Sequence, residues 1–338
     1  MTWHDPVPFL RGTAWLDGRG RAVRADPADL ARLPWDTAER AALPIGVRLE
    51  FTASPGTSAV RIRYRAAVPD RSHALRELAH CFALWEGDAC VHEALARPAE
   101  ETTVTIPLPG RPGPFTVHPP ESQAPVILGL RAVGGALSPA PPRPRWLVHG
   151  DSITEGWLST RPAHSWPAVA GRALGADTVN LGYAGSARGE PAIAEQLAAL
   201  PAGLVTLAFG TNCWSGVPHS APLLYETTRA FLTLVRRGHP DTPLLLLSPL
   251  LRPEAESTAN ALGATLAELR TAMEEAVRDL IAAGDGQLAL LPGRDLLGPG
   301  HLADGLHPND AGHARVAAAV VAAVRGAWPA TGRALSRT

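Results

Sequence analysis

Two segments of this sequence carry the three residue types that together activate a serine hydroxyl. Residues 150–154 read Gly-Asp-Ser-Ile-Thr and contain Ser152, and residues 304–308 read Asp-Gly-Leu-His-Pro and contain Asp304 and His307. A histidine can take the proton of a serine hydroxyl through one ring nitrogen while a carboxylate holds the other nitrogen. The two segments therefore predict Ser152 as nucleophile, His307 as general base and Asp304 as the carboxylate that orients it.

Two further segments offer hydrogen-bond donors for a developing negative charge. Residues 180–185 read Asn-Leu-Gly-Tyr-Ala-Gly, and residues 209–212 read Phe-Gly-Thr-Asn. A glycine lets the backbone approach a substrate closely and present an N–H, and an asparagine amide can donate to the same oxyanion. The sequence therefore predicts an oxyanion hole formed by Ser152, Gly182 and Asn212.

Each segment also has a simpler structural interpretation when it is taken alone. Asp151 or Ser152 can cap a helix without taking part in chemistry. Gly182 and Asn212 are residue types that turns use, and His307 can be a buried structural histidine. The catalytic interpretation is favoured because all the segments occur in the order and the structural positions that one reaction requires.

The second half of the chain has the pattern of a parallel α/β sheet, in which short apolar runs alternate with longer segments of helical period. The predicted strands are 146–149, 178–181, 204–209, 244–247 and 288–291. Ligands bind beyond the carboxyl ends of such strands, and the first three strands run into the segments described above. One predicted helix has an apolar stripe formed by Leu262, Leu266, Leu269, Met273, Val277 and Leu280.

The first half has the pattern of an all-β domain, with partly alternating runs at 47–51, 59–64, 81–85, 102–106 and 126–131. Short strands separated by turn residues are typical of an antiparallel sandwich, here predicted to be jelly-roll-like. Residues 138–145 read Ser-Pro-Ala-Pro-Pro-Arg-Pro-Arg, a stiff connector. The predicted division is a β-sandwich accessory domain (1–137), a Pro-rich linker (138–145), an α/β catalytic domain (146–330) and a tail (331–338).

The four segments resemble the sequence blocks of the SGNH or GDSL hydrolases, which are named for a catalytic Ser, Gly, Asn and His. Ser152, Gly182, Asn212 and His307 match these blocks in order, within residues 145–327. The resemblance implies a flavodoxin-like three-layer α/β/α domain with a five-stranded parallel sheet. It also implies hydrolysis or transfer of ester-linked acyl groups without a metal or an organic cofactor.

Two positions depart from the pattern of this family. Ile153 stands where the common form has leucine, and Cys213 stands where many relatives have aspartate after the asparagine. Cys213 and Trp214 are candidates for an apolar wall of the substrate site beside the oxyanion hole. The alternative is that both side chains simply pack.

The order of a β-rich domain, a Pro-rich connector and this α/β domain is similar to an actinobacterial subgroup that includes O-acyltransferases of polyketide tailoring. The similarity implies a small-molecule ester or thioester substrate, with water or the hydroxyl of a sugar or polyketide as acyl acceptor. It also implies a carbohydrate-binding-like first domain. An alternative is a glycan-binding protein whose α/β domain is inactive.

Composition, charge and residue spacing argue against nucleic-acid binding, membrane association and a metal site. The 338 residues carry a net charge of −1, which provides no overall attraction for nucleic acid or an anionic membrane. No apolar run is long enough to cross a bilayer, and residues 1–12 lack a signal-peptide pattern, so a cytoplasmic protein is expected. Three cysteines make a disulfide framework improbable, so free thiols are expected. His301, His307 and His313 recur at a spacing that does not put three metal ligands on one helix face.

Overall fold

The computed structural model describes residues 2–67 and 80–335, and their first half folds into two antiparallel sheets. One sheet has the order β1-β4-β9-β6-β7, with β11 beside β4, and the other has the order β10-β5-β8. Strands β2 and β3 form a separate small hairpin. The strands are β1 (Leu10–Arg11), β2 (Trp15–Leu16), β3 (Ala22–Val23), β4 (Arg48–Ala53), β5 (Ala59–Ala66), β6 (Cys81–Glu86), β7 (Ala89–Leu95), β8 (Ala99–Pro107), β9 (Gly113–His118), β10 (Val126–Val133) and β11 (Leu137–Pro139).

The two larger sheets pack face to face as a β-sandwich because their strands alternate apolar and polar residues. In β5, Val60, Ile62 and Tyr64 are buried between the sheets. The Tyr64 ring meets the Phe82 ring of the opposite sheet edge-on, with centroids 4.7 Å apart. The predicted sandwich is confirmed. Strand β7 lay outside the predicted runs because it is mostly solvent-exposed and has no strong apolar pattern, and the partly buried β9 was also missed.

The second half contains a five-stranded parallel sheet, as predicted. Its strands are β12 (Arg145–Gly150), β13 (Asp177–Gly182), β14 (Leu204–Ala208), β15 (Leu244–Leu247) and β16 (Leu288–Leu291). Their order is β13-β12-β14-β15-β16, so the chain reverses direction across the sheet after β13. This flavodoxin-like order opens a crevice at the carboxyl ends of β12 and β14.

Helices cover both faces of this sheet and make the three layers. They are α2 (Ser152–Glu155), α3 (Trp166–Leu174), α4 (Pro191–Ala199), α5 (Ala221–Gly238), α6 (Leu266–Ala282), α7 (Asp310–Ala327) and α8 (Pro329–Leu335), and α1 (Trp35–Ala41) precedes the sandwich strand β4. The stripe predicted to begin at Leu262 begins instead at Leu266. Thr265 closes a capping box at that point, so Leu262 lies outside the helix and is exposed.

The structure differs in two details from the division predicted by sequence. Residues of the predicted linker join the sandwich, since Pro139 pairs with Phe51 of β4. Residues 331–335 of the predicted tail belong to α8, which starts at Pro329, a residue preorganised for a first helical turn. The domain boundaries otherwise stay a prediction.

Part of the N-terminal half packs on the α/β domain instead of on the sandwich. Ala25, Leu33 and Ala41 belong to the same apolar cluster as Leu181 and Val205 of the parallel sheet. The segment that contains α1 thereby reaches the α/β half of the protein. Within the described residues, no helix is long and apolar enough to cross a membrane.

Candidate active site

Ser152 is placed by a tight turn between β12 and α2. A side chain at Gly150 would come within 2.3 Å of the backbone oxygen of Ala208, so only glycine fits where the chain turns. Asp151 then caps α2, because its Oδ1 accepts the Ile153 N–H at 2.9 Å. As the first residue of the helix, Ser152 has an N–H without an intrahelical acceptor.

His307 is held by a turn whose first residue is Asp304. One oxygen of Asp304 accepts the N–H groups of Leu306 and His307 at 3.0 and 2.7 Å. Gly305 takes the left-handed conformation that this turn needs, with φ of 84°. The Ala303 N–H donates to the His307 carbonyl at 2.8 Å and closes the loop. These bonds fix the backbone on both sides of the imidazole.

The three predicted triad residues meet in one chain of hydrogen bonds. His307 Nδ1 lies 2.7 Å from Asp304 Oδ2, and His307 Nε2 lies 2.9 Å from Ser152 Oγ. Burial alone would raise the pKa of Asp304, but hydrogen bonds from the backbone and ring of His307 outweigh it and lower the pKa. An ionised Asp304 only accepts, so it fixes the His307 proton on Nδ1 and leaves Nε2 free to accept from Ser152.

Asn212 lies on the other side of the crevice, in a short 3-10 turn after β14. Its Nδ2 donates to the Ser186 carbonyl at 2.6 Å, so the amide is directed towards the loop after β13. Gly182, the predicted donor from that loop, has a different environment. Its N–H already donates to Asn180 Oδ1 at 2.9 Å, and a side chain here would come within 2.3 Å of the Glu155 nitrogen.

Gly185 has the properties that were predicted for Gly182. Its φ is 76°, and a Cβ at this position would meet no atom within 4 Å. Among the described residues, no hydrogen-bond acceptor is found for its N–H. The Arg188 guanidinium donates to the Gly185 carbonyl at 2.9 Å and steadies the loop. Gly185 lies three residues beyond Gly182 in the same segment, and the sequence alone does not distinguish two such glycines.

Trp157 and Glu155 were not predicted by sequence reasoning, although they follow Ser152 by only a few residues. The Trp157 ring stacks on the His307 ring, with centroids 5.3 Å apart and planes 29° apart. The Trp157 Nε1 donates to Glu155 Oε1 at 3.3 Å. Behind this contact, His313 Nε2 donates to the Trp157 carbonyl at 3.1 Å, and its Nδ1 accepts the Trp166 N–H at 3.3 Å.

Two titratable groups beside the triad are perturbed by burial. Desolvation raises the pKa of the Asp151 carboxyl to about 6, against the hydrogen bond from the Ile153 N–H that favours the anion. Desolvation also lowers the pKa of His313 to about 4, so this imidazole is neutral at pH 7. His313 therefore supports Trp157 as an uncharged hydrogen-bonding group.

Cys213 and Trp214, the candidates for a substrate wall, have different surroundings. Cys213 is fully buried in the apolar core, and this burial raises the pKa of its thiol, so its side chain is not exposed to a substrate. Trp214 is half-buried. Its Nε1 donates to the Thr258 carbonyl at 2.8 Å, and the Arg252 guanidinium lies 4.5 Å from the ring centroid.

His301 was considered above as a possible metal ligand, and the structure shows it in a local backbone hydrogen bond instead. His301 Nδ1 accepts the Gly298 N–H at 3.1 Å, and within residues 2–67 and 80–335 no group of three His, Cys, Asp or Glu residues could hold a metal ion. A cavity of about 330 Å³ lies between the sandwich and the α/β domain. Its walls include Trp85 and His118, and no triad residue lines it.

The fold and this site define a class of acyl-transferring enzymes, and sequence comparison identifies the family. Residues 148–315 match the GDSL-like lipase/acylhydrolase family. The chain belongs to this family through its α/β domain, which carries every predicted catalytic residue. No curated protein matches the sequence.

Solved structures similar to this chain share the arrangement of both halves. The salicylyl-acyltransferase SsfX3 from a tetracycline biosynthetic pathway has a TM-score of 0.82 at 23% identity, with 94% of each chain covered. A Bacteroides ovatus protein described as a putative GDSL-like lipase has a TM-score of 0.78 at 20% identity, covering 97% of this chain and 98% of that one. A family two carbohydrate esterase from Clostridium thermocellum, in complex with cellohexaose, has a TM-score of 0.64 at 17% identity, covering 83% and 91%.

Proposed function

We propose that the protein is a serine-dependent ester hydrolase or O-acyltransferase that works through an acyl-enzyme on Ser152. The observation that carries this proposal is the unbroken series of contacts from Ser152 Oγ through His307 to Asp304, at 2.9 and 2.7 Å. A base within hydrogen-bonding reach of a hydroxyl, itself oriented by an ionised carboxylate, is what nucleophilic activation of serine requires.

In the proposed reaction, His307 Nε2 takes the Ser152 proton as Oγ bonds to the carbonyl carbon of the substrate. The resulting tetrahedral oxyanion collapses, the bond to the leaving alcohol or thiol breaks, and the imidazolium gives its proton to that leaving group. Water or an acceptor hydroxyl then attacks the acyl carbon and gives its proton to His307; the bond to Ser152 Oγ breaks, and Oγ takes that proton back as the acid or the new ester leaves. Asp304 stays ionised and stabilises the imidazolium, consistent with its lowered pKa.

We assign the oxyanion hole to the N–H of Ser152, the Asn212 amide and the N–H of Gly185. Gly185 replaces Gly182 in this assignment because the Gly182 N–H is occupied by Asn180 Oδ1. The Ser186 carbonyl that accepts from Asn212 links the asparagine to the residue next to Gly185. Each such donor typically contributes on the order of 3 kcal/mol to stabilising the transition state.

The substrate class is a small-molecule ester or thioester. The acyl acceptor is water in a hydrolase, and a sugar or polyketide hydroxyl in a transferase. Among proteins of similar fold, one is a salicylyl-acyltransferase and others are carbohydrate esterases, so both outcomes occur on this architecture. Adding a primary alcohol during ester turnover separates them: a transferase partitions the acyl group to the alcohol, and a hydrolase releases the acid.

A glycan-binding protein with an inactive α/β domain is the alternative. The contacts among Ser152, His307 and Asp304 speak against it, because pure binding does not require a base aligned on a hydroxyl. Recognition of carbohydrate by the sandwich stays a separate prediction, and it is compatible with catalysis by the other half.

The experiment compares wild type with Ser152→Ala in turnover of p-nitrophenyl acetate and butyrate, and in fluorophosphonate labelling followed by mass spectrometry. Turnover and a Ser152 adduct that are both lost in the variant support the proposal and exclude a contaminating esterase. Labelling without turnover indicates a transferase that lacks its acceptor. If folded wild type shows neither signal, the catalytic proposal is wrong and the binding function is favoured.

A further inference from the structure

A buried carboxylate next to the active site is neutralised by the N-terminal half of the chain. Glu155, at the end of α2, is 1% exposed. It forms ion pairs with Arg40 of α1 and, at 3.7 Å, with Arg24. A carboxylate removed from water at this depth requires such compensation, because an uncompensated buried charge is strongly destabilising.

The same carboxylate holds two parts of the proposed catalytic machinery. Its Oε2 accepts the N–H of Ala184 at 2.8 Å, which fixes the residue immediately before Gly185. Its Oε1 accepts the indole N–H of Trp157 at 3.3 Å. One buried group therefore positions both the loop of the oxyanion hole and the aromatic ring that covers the general base.

Trp157 connects Glu155 to His307, because its ring stacks on the imidazole. The stacked rings restrict rotation of the imidazole, and the face of an indole also favours the positive charge that His307 acquires when it takes a proton. The Arg40 guanidinium lies 5.5 Å from the centroid of the Trp157 ring, so Arg40 contacts both Glu155 and the ring that Glu155 holds.

Helix α1 also contacts the oxyanion loop directly. The hydroxyl of Thr37 is hydrogen-bonded to that of Ser186, and Asp36 forms a 2.9 Å ion pair with Arg188. These contacts join the N-terminal half to Ser186 and Arg188, which follow Gly185 in the same loop. The active site is consequently assembled from both halves of the chain.

We propose that Arg40 is a positioning residue of the active site, which acts through Glu155 and Trp157 on His307. This inference rests on the proposed function. Without Arg40, Glu155 loses one of its two arginine partners and keeps Arg24, so its hydrogen bonds to Ala184 and Trp157 weaken. Greater mobility of the Trp157 and His307 rings, and of the loop that contains Gly185, should lower kcat more than it changes KM. The reason is that misplaced catalytic groups affect mainly the chemical step.

The test is steady-state turnover of p-nitrophenyl butyrate by Arg40→Met and Arg40→Lys, with Arg48→Met as the matched control. Arg48 is equally buried and also joins the two halves, through Asp177 at 3.0 Å, but it contacts neither Glu155 nor Trp157. We expect kcat of Arg40→Met to fall about tenfold or more with little change in KM. Arg40→Lys should recover a large part of it, and Arg48→Met should keep kcat within about twofold of wild type.

One further readout separates positioning from general damage. In a double-mutant cycle, Arg40→Met and Trp157→Leu should be strongly non-additive in kcat, because both act on His307 through one path. If Arg40→Met does not fold, Arg40→Gln and Trp157→Leu test the same link in folded protein.

Several results would overturn the inference: unchanged kcat in the folded Arg40 variants, an equal loss of kcat in Arg48→Met, or additive effects in the cycle. Wild type and Ser152→Ala are assayed and labelled in the same series. Failure of wild type both to turn over ester and to label at Ser152 contradicts the proposed function itself. An active wild type with an unaffected Arg40→Met contradicts only the role of Arg40.

Discussion

The Oγ of Ser152 lies 2.9 Å from Nε2 of His307, although the two residues are 155 positions apart in the chain. The contact joins the start of α2, just after β12, to a loop before α7, at the carboxyl edge of the parallel sheet. The two groups are already within hydrogen-bonding distance. Substitutions of neighbouring residues should therefore change kcat and the free energy of unfolding to different extents.

Replacing Asp304 by asparagine should test its charge with little change in the turn. Asparagine keeps an oxygen that can accept the N–H groups of Leu306 and His307, but its amide can donate to Nδ1 and so stabilise the wrong tautomer of His307. We expect kcat for p-nitrophenyl butyrate to fall about 10³–10⁴-fold. Circular dichroism should match wild type, and kcat within tenfold of wild type would show that the carboxylate is not needed.

Two asparagines near the site should give opposite phenotypes. Asn212→Ala removes a proposed oxyanion donor, so kcat should drop about 10²–10³-fold with a small change in Tm. Asn180→Ala leaves the Gly182 N–H and the Thr154 carbonyl without their partners, so it should cost about 2–4 kcal/mol in the free energy of unfolding. Urea unfolding and ester kinetics on both variants measure the contrast, and an Asn180→Ala variant as stable as wild type would contradict the structural role given to this side chain.

The two glycines of the loop after β13 should also differ. Gly182→Ala brings a methyl group within 2.3 Å of the Glu155 backbone, so we expect a loss of several kcal/mol or no soluble protein. Gly185→Ala meets no atom and should cost only the strain of its left-handed backbone, about 1 kcal/mol. Thermal unfolding of the two variants provides the comparison, and equal destabilisation would contradict the environments described for them.

The buried Asp151 should make stability depend on pH. Its pKa is raised from 3.8 to about 6 by desolvation, so between these pH values the folded protein binds more protons than the unfolded chain. Stability from this group is therefore greatest below about pH 4 and declines by about 3 kcal/mol as pH rises to about 6.

Asp151→Asn isolates this contribution. His313 acts in the opposite direction over a similar range, because its lowered pKa contributes stability that is lost as pH falls from 6.5 to about 4. The informative quantity is thus the difference in unfolding free energy between wild type and Asp151→Asn, measured from pH 4 to pH 8. A difference that does not change with pH would mean that Asp151 titrates near its ordinary pKa.

Local sequence patterns predicted much of this protein because they reflect local physical requirements. The run Leu244–Leu247 is apolar at every position because β15 is buried on both faces, and that is visible without a structure. Asp304 and His307 are close in sequence, so a single turn can bring them together. Ser152 and Asn212 follow strands whose carboxyl ends must share one edge of a parallel sheet.

Other features depended on packing between segments that are distant in the chain. Sequence reasoning chose Gly182 as the donor, although Gly185 lies in the same segment, and only the positions of Asn180 and Glu155 showed that the Gly182 N–H is occupied. Cys213 follows Asn212 directly, yet the 3-10 turn points it into the core.

The amino-acid sequence by itself determined the class of fold, the parallel sheet and the triad candidates, because apolar periodicity and short motifs are fixed by neighbours within a few residues. Only the tertiary structure decided that Arg40 reaches Glu155, 115 positions away, and that Trp157 covers His307. No periodicity predicts such contacts, since they arise when the segment before the sandwich docks on the α/β domain and buried charges must find partners.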